Sequence, residues 1–383
     1  MAATKSPKRA AQALAMAALA LPVVPLPVVA GQMEAAQAGL KYLYYSEDQR
    51  MTASSPLLWV DAPVGENYDV SVATTLDSMS GASIQYVSNQ SGKPVHSLSS
   101  ASIRDERRAA DLRVTRHFEE GSVALGASIS SEHDYLSQGV SADLRLDFND
   151  KNTTLALGVG ETNDRIGSTI NPLLDEGRRT RDFLVGVTQL LTPVSLIQSN
   201  LSYSDGSGYF NDPYKFTLSF LSGVRAPVVQ NDTRPDGRRA VSWLTRYRHY
   251  LPAWQTAVAA EYRYYQSNWG IVAHTLEVSA TRDFGNGFKL TPTLRYYSQS
   301  AADFYSPVQT SRTAIGSSDA RLAAFGAYTA GLKVQKNFGE RTTLDATAAV
   351  YRQEAGYRLN GGGSPDFPGL TARILMVGVS RVF

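Results

Sequence analysis

The residues of this sequence that could do chemistry are few, and the densest group is the run Glu132, His133 and Asp134. Carboxylate oxygens and imidazole nitrogens are both good metal ligands, so the run could hold a metal ion. Successive side chains of a strand point to opposite faces, so the three could converge only if a loop reshaped itself. With five His in the whole chain, we predict no metal site and no cofactor.

Catalytic motifs are missing from the sequence. It contains neither a Gly-x-Ser-x-Gly nucleophile elbow nor a His-Glu-x-x-His metal motif. The absence of Cys removes thiolate nucleophiles, disulfides, zinc fingers and attached c-type haem. His96 and His133 lie near the expected outer ends of strands, so an enzyme acting at an outer rim is an alternative. The prediction is that the chain is not an enzyme and has no catalytic residue.

Charged residues also stand at alternate positions between apolar ones. From Val140 to Phe148 the apolar side chains face one way and the intervening polar ones the other. In a closed barrel the polar face lines the lumen, and this alternation predicts these lumen-lining residues: Asp143, Arg145, Asp147, Glu261, Arg263, Arg295, Lys333 and Asp345. Acids opposite bases could set a transverse field that orients a polar solute. Alternatively they pair and stiffen the wall, and their mixed signs predict weak ion selectivity.

The elements that must position these residues are β-strands. From Gly39 onward the sequence alternates apolar and polar residues over segments of about ten residues. A soluble β-sandwich shows the same alternation. The connections separate the two folds, because short turns at one end and long loops at the other are typical of an outer-membrane barrel. The expected long polar loops are 79–105, 163–176, 206–236, 301–321 and 356–365.

Counting strands between these connections gives fourteen from residue 67 to 383. Leu40 to Ser46 and Leu57 to Asp61, followed by a turn at 63–67, add one more hairpin. Both termini should lie at the same end, so the strand number is even. We therefore predict an all-β fold, a transmembrane antiparallel up-and-down β-barrel of about sixteen strands. Fourteen is the alternative if the first hairpin is a periplasmic or plugging segment.

Strands that enter tight turns end repeatedly in an aromatic residue, with a cation two positions earlier in several of them. Aromatic rings prefer the membrane–water boundary, and long cationic side chains reach past it toward phosphate. The alternative is that these rings close the end of a sandwich core. The pattern predicts a periplasmic interface belt formed by Arg116, Phe118, Phe148, Tyr250, Arg282, Phe284, Lys336, Phe338, Arg381 and Phe383.

The segment from Gly206 to Gly237 is too long for a plain connector. It contains Tyr209, Phe210 and the run Asp212-Pro213-Tyr214. This aromatic and proline content suggests an ordered flap or plug, and a solvated surface loop is the alternative.

The N-terminus predicts export. Lys5, Lys8 and Arg9 precede an apolar stretch from Ala10 to Ala30, followed by small residues before Gly31 and again before Gly39. Three prolines break this stretch, which disfavours the alternative of a membrane-anchoring helix. We predict a signal peptide and short leader at 1–38, a barrel at 39–383 and a bacterial outer-membrane location. A net charge of +2 predicts no nucleic-acid partner.

Several runs of residues carry a resemblance to a known family: 76–83, 135–141, 151–155, 208–215, 246–252 and 295–305. These runs resemble a family of outer-membrane proteins catalogued as domain of unknown function 3570. The resemblance implies an outer-membrane location and association with small lipoproteins, thioredoxin-like proteins and flavin-attaching enzymes.

These observations predict a porin-like channel or a housing for a polar cargo. The alternative that the resemblance suggests is a structural sheath binding a small lipoprotein or periplasmic redox partner in an extracytoplasmic electron-transfer assembly. A rim-site enzyme is a third alternative. The expected partners are outer-membrane lipid and, during biogenesis, the barrel-assembly machinery, which reads a C-terminal strand such as the one ending in Phe383. Arg381 departs from the usual apolar residue at the third-from-last position.

Overall fold

A closed antiparallel barrel of sixteen strands makes up most of the chain. The computed structural model describes residues 32–383 except 49, 82–83, 91–92, 99–102, 220–227, 309–313 and 366. The predicted fold class and strand number are confirmed, and the predicted signal-peptide residues up to 31 lie outside the described residues. The strands, in chain order, are β1 Gln37–Glu47, β2 Met51–Val64, β3 Tyr68–Gly81, β4 Ile84–Gln90, β5 Lys93–Leu98, β6 Ile103–Phe118, β7 Gly121–Ser131, β8 Tyr135–Phe148, β9 Thr153–Ile166, β10 Glu176–Thr192, β11 Ser195–Gly208, β12 Phe216–Ser219, β13 Val228–Asn231, β14 Gly237–Leu251, β15 Thr256–Ser267, β16 Val272–Asp283, β17 Phe288–Gln299, β18 Phe325–Phe338, β19 Thr342–Glu354 and β20 Leu370–Val382.

The barrel strands follow one another in sequence order, and β20 pairs with β1 to close the wall. Closure leaves no backbone edge to meet hydrocarbon. The outer face of the barrel carries a band of exposed apolar side chains, such as Leu125 and Val140, which are 63% and 64% exposed. Such a band of exposed apolar side chains is what a lipid-facing surface requires.

The tight turns lie at the same end of the barrel as the first and last residues of its wall, Gln37 and Val382, which pair with each other. In the turn between β16 and β17, Gly285, Asn286 and Gly287 all have positive φ. Gly287 also lies close to β18, because an added Cβ would come 2.8 Å from the carbonyl oxygen of Asn337. Glycine is therefore required here both by conformation and by space.

The opposite end carries the long connections, which contain structure of their own. β4 pairs with β5 and β12 with β13, and the two hairpins lie against each other through β4 and β12. Short 3-10 helices occur at Ala320–Leu322 and Ala355–Tyr357 in the last two long connections, and at Pro252–Trp254 in a tight turn. The helix at Ala320–Leu322 makes β18 begin at Phe325, three residues after the start expected from sequence. Among the described residues no helix has the length and apolarity needed to cross a membrane.

Part of the barrel interior is filled by apolar side chains. The inward faces of β1–β3 and β18–β20 form one cluster at the long-loop end of the strands: Leu43, Tyr45, Met51, Ala53, Met79, Ala327, Ala349, Tyr351, Leu370, Ala372 and Ile374. Each of these residues is at least nine-tenths buried. We refer to them as the interior core. The lumen is therefore packed with apolar groups on this side instead of being a uniform water-filled tube.

Candidate functional site

A cavity of about 210 Å³ lies in the lumen against eight consecutive wall strands, from β14 through β20 to β1. We call it the lumen cavity. Charged groups dominate its polar lining, and they comprise five cations and two acids: Lys41, Arg246, Arg248, Arg295, Lys333, Glu261 and Glu277. Ala349 and Met376 contribute apolar surface. The cavity is a positively charged chamber with an apolar side.

Ion pairs neutralise some of these cations. Arg246 donates from Nε to Glu261 Oε2 at 2.8 Å, and Arg263 Nη2 lies 3.9 Å from the other oxygen of the same carboxylate. Lys333 Nζ lies 3.9 Å from Asp345 Oδ2. Within the part of the chain that the structure describes, Lys41 and Arg248 have neither a hydrogen bond nor an ion pair. The positive excess of the lining is therefore centred on these two side chains.

The facing wall, from β3 to β10, carries more carboxylates than cations. Among the described residues, its inward acids are Asp69, Asp77, Asp111, Asp143, Asp147, Asp164, Glu176 and Asp182, against Arg107, Arg113, Arg145 and Arg178. Three of the acids pair with arginines, at 2.6 Å between Asp77 and Arg107, 2.9 Å between Asp143 and Arg113, and 2.6 Å between Asp164 and Arg178, and Asp69 lies 2.7 Å from His117 Nε2. Positive and negative residues are interspersed along the sequence, but in the closed barrel cations are in excess on one side of the lumen and acids on the other.

The eight lumen-lining positions predicted from sequence divide between these two walls. Glu261, Arg295 and Lys333 line the lumen cavity. Arg263 and Asp345 lie next to it through their ion partners, and Asp143, Arg145 and Asp147 are on the acidic wall, on β8. Each stands at an inward position of its strand.

Four charged residues of the cavity were missed by the sequence reasoning: Lys41, Arg246, Arg248 and Glu277. The same alternation could have found Arg246 and Arg248, because Trp243 and Tyr247 on the other face of β14 are exposed apolar side chains. Lys41 gave no such signal, since its neighbours Leu40, Tyr42 and Leu43 are apolar on both faces.

The long connection between β11 and β14 folds over the long-loop end. We call its described residues, 209–219 and 228–236, the lid. It touches three other connections: Tyr214 Oη donates to Asp134 and accepts from Thr169 N at 2.9 Å, and Thr233 pairs with Gly316. The described residues of this segment therefore form a cap over the long-loop end, in agreement with the flap-or-plug interpretation.

A buried ion network, which we call the latch, fixes the lid to the connection between β17 and β18. Arg234 Nη2 of the lid lies 2.8 Å from Asp319 Oδ2, and Arg321 Nη2 lies 2.7 Å from Asp212 Oδ2. Arg321 Nε also donates to Asp319 at 2.7 Å, and Lys215 Nζ is 3.8 Å from the same carboxylate. Asp319 is thus surrounded by three cations while its side chain is 1% exposed.

The electrostatics of the latch favour ionised Asp319 and Asp212. Burial alone would raise both pKa values, but the neighbouring Arg321, Lys215 and Arg234 outweigh it and hold the pKa of Asp319 well below its usual range. The pKa of Asp212 is lowered by the same cations. For Asp232 burial prevails over Arg234, so its pKa is raised. The latch therefore depends on two carboxylates that stay charged at neutral pH.

Aromatic rings pack where the lid meets the barrel. Trp269, in the connection between β15 and β16, makes edge contacts with Phe210 of the lid and with Phe304, at centroid distances of 5.6 and 5.2 Å. Arg178 and Arg238 from the barrel wall stack over Phe210 and Trp269. Apolar burial and cation–π contacts thus support the latch.

The predicted periplasmic belt residues lie at the tight-turn end, and all six aromatic rings are exposed. Arg282, Lys336 and Arg381 each stand over the ring two residues later, at 5.0, 6.0 and 5.8 Å from the centroids of Phe284, Phe338 and Phe383. Arg116 instead stacks on Tyr68 of the neighbouring strand, at 6.0 Å. The sequence pattern becomes a ring of aromatic and cationic side chains, whose role at a lipid boundary stays a prediction.

The run Glu132, His133 and Asp134 lines a second cavity, of about 660 Å³, at the long-loop rim. Asp134 accepts a hydrogen bond from the lid residue Tyr214. No group of three or more His, Cys, Asp or Glu side chains in the described part of the chain is arranged to hold a metal ion. The contact seen here ties the rim to the lid.

Residues 11–174 and 167–380 match the family described as "Protein of unknown function (DUF3570)". The chain belongs to this family. The match covers the wall strands, the lid and both sides of the latch, so the DUF3570 resemblance predicted from short runs is confirmed. No curated protein matches the sequence.

Solved structures share the barrel fold of this DUF3570 member at low sequence identity. A "Bacterial polysaccharide outer membrane secretin" has a TM-score of 0.50 and 10% identity, covering 91% of this chain and 98% of that one. The "CymD monoaromatic hydrocarbon channel" has a TM-score of 0.44 and 11% identity, over 92% and 89%. OccK8 (OprE) of Pseudomonas aeruginosa has a TM-score of 0.43 and 11% identity, over 92% and 100%. The chain therefore has the closed β-barrel fold of the first of these structures.

Proposed function

We propose that this protein is a porin-like barrel of the bacterial outer membrane that passes small polar solutes and is capped by its own lid in the state described here. The observation that carries the proposal is the separation of charge in the lumen. The cavity side has five cations and two acids in its lining, and the facing wall is rich in carboxylates. Opposed charged walls orient a polar solute as it moves between them.

The lid gives the proposal its second part. Asp212, Asp232 and Asp319 are buried with their cationic partners, which joins the lid to another connection of the same end. Because the lid covers one end of a charged lumen, we infer that the channel opens when the lid moves away. The alternative of a sheath for a small lipoprotein or redox protein has no observation in its favour among the described residues, so the channel is the function proposed.

No observation favours the rim-site enzyme. Of the residues that suggested it, Asp134 is engaged by Tyr214 of the lid. His133 lines the rim cavity beside Glu132, and no nucleophile motif accompanies them in the sequence.

The test is ionic conductance of the purified protein in planar bilayers, with and without the lid. Ser207 of β11 pairs directly with Gly237 of β14, so a two-residue turn can replace residues 209–236 without disturbing the wall. We expect the full-length barrel to stay mostly closed and the shortened barrel to conduct steadily. A shortened barrel that folds, shown by a heat-modifiable gel shift, yet does not conduct would overturn the proposal.

A further inference from the structure

We propose that the lumen cavity is a binding site for a small oxyanion, a carboxylate or a phosphate, held between Arg248 of β14 and Lys41 of β1. The inference deepens the proposed function and rests on it in one respect, namely that solutes reach the lumen. It adds the chemical class of the solute and the residues that select it.

The first argument is the unbalanced charge. The lining contains five cations against two acids, and the acid Glu261 is already engaged by Arg246. Lys41 and Arg248 have no hydrogen bond or ion pair among the described residues, although both face a partly enclosed space. Arg248 is exposed to the lumen and Lys41 is partly buried, so each can present its N–H donors to a solute there. Their nearest acids, Glu261 and Asp345, form no ion pair with them, and a bound oxyanion would supply a direct partner.

The second argument is the position of the two cations. Arg248 and Lys41 stand on the first and the last of the eight strands that line the cavity, so they approach it from opposite sides of its wall. A guanidinium offers two parallel donors to a planar oxyanion, and an ammonium offers a compact charge.

The third argument is size and surface. A cavity of about 210 Å³ is smaller than the roughly 300–1,000 Å³ of pockets that enclose drug-sized ligands, so it suits a small solute. Ala349 and Met376 give it an apolar side against which a short carbon chain can lie. The site therefore fits a short dicarboxylate or inorganic phosphate.

The experiment is isothermal titration of the full-length barrel in detergent with two probes, sodium succinate and sodium phosphate, and with glycerol as an uncharged probe. We expect saturable binding of at least one anion and none of glycerol. Succinate binding alone assigns a carboxylate site, and phosphate binding alone assigns a phosphate site. Binding of neither anion would overturn the inference.

Variants locate the site. Arg248→Gln and Lys41→Gln should each weaken the anion about tenfold to a hundredfold, the range expected for one charge-assisted hydrogen bond. The matched control is Lys289→Gln, which removes the same charge from a residue that is paired with Asp283 at 3.7 Å and does not line the cavity. A heat-modifiable gel shift shows that each variant is folded. Unchanged affinity in both folded cavity variants, or an equal loss in the control, would overturn the assignment.

Failure of the binding site and failure of the proposed channel give different experimental results. A barrel that binds the anion but never conducts, even without its lid, keeps the site and overturns the channel. A barrel that conducts but binds neither anion keeps the channel and overturns the site.

Discussion

Replacing Asp319 by Asn should release the lid. The carboxylate of Asp319 accepts from Arg234 and Arg321 and lies 3.8 Å from Lys215, with its side chain 1% exposed. The amide of Asn keeps the size but loses the charge, so three cations remain together with only Asp212 and Asp232 to balance them. Two of the three cations belong to the lid, and their repulsion acts directly on the contact that closes the barrel.

The magnitude follows from the burial of the group. Removing one partner of a buried, hydrogen-bonded ion pair costs about 3–5 kcal/mol, because the other charge is left without compensation. At roughly 1.4 kcal/mol for each factor of ten, this shifts the equilibrium between closed and open lid by about a hundredfold to a few thousandfold. The barrel wall has no part in the latch, so its strands should remain paired.

Single-channel recording measures this shift as the fraction of time spent open. We expect rare openings in the native protein and frequent or sustained openings in Asp319→Asn, with the same heat-modifiable gel shift in both. The matched control is Asp175→Asn, which breaks the exposed pair with Arg165. An exposed pair contributes little to stability, so its loss should leave the open fraction nearly unchanged. An Asp319→Asn barrel as closed as the native one would show that the latch does not hold the lid.

Three further predictions concern acid, the N-terminus and a turn. Because the pKa values of Asp319 and Asp212 are lowered in the fold, their stabilisation is complete above the unfolded value of about 3.9 and is lost as the pH falls through the lower folded values. The pKa of Asp232 is raised, so protonation of Asp232 stabilises the closed lid and partly offsets this loss. Conductance should therefore increase only below about pH 4. Conductance that does not change with pH down to 2 would contradict this. Since Gln37 already pairs with Val382 and Met33 N donates to Asp69, intact mass of the exported protein should show cleavage before Gly31; a mature chain starting at Gly39 would contradict it. Gly287→Ala should lower the yield of folded barrel, measured by gel shift, because φ is +73° and the new Cβ meets Asn337; an unchanged yield would be inconsistent with this turn.

Sequence was sufficient for the barrel because its signals are local. The alternation from Val140 to Phe148 reports which side chains face lipid, and a turn such as Gly285-Asn286-Gly287 marks where a strand ends. The hairpin that decided between fourteen and sixteen strands followed from the same two signals. The predicted strand boundaries were wrong where a connection is extended or helical outside the apolar–polar alternation. An example is the 3-10 helix Ala320–Leu322 before β18.

The site was less accessible because it depends on which distant strands face each other. Alternation identifies Glu261 and Arg295 as polar-face residues, but it does not say that Arg248 and Lys41 border the same cavity. Mixed signs along the chain predicted weak ion selectivity, whereas closure places cations mainly on one wall and acids on the other. The latch is also non-local, since Asp212 and Arg321 are 109 residues apart.

The interior core crosses the seam where the first and last strands meet. Leu43 and Tyr45 come from β1, and Leu370, Ala372 and Ile374 come from β20. Parting these strands would break their backbone hydrogen bonds and also wet apolar groups that are at least nine-tenths buried. A solute leaving sideways between these two strands would have to overcome both costs, so this seam does not offer an inexpensive lateral exit.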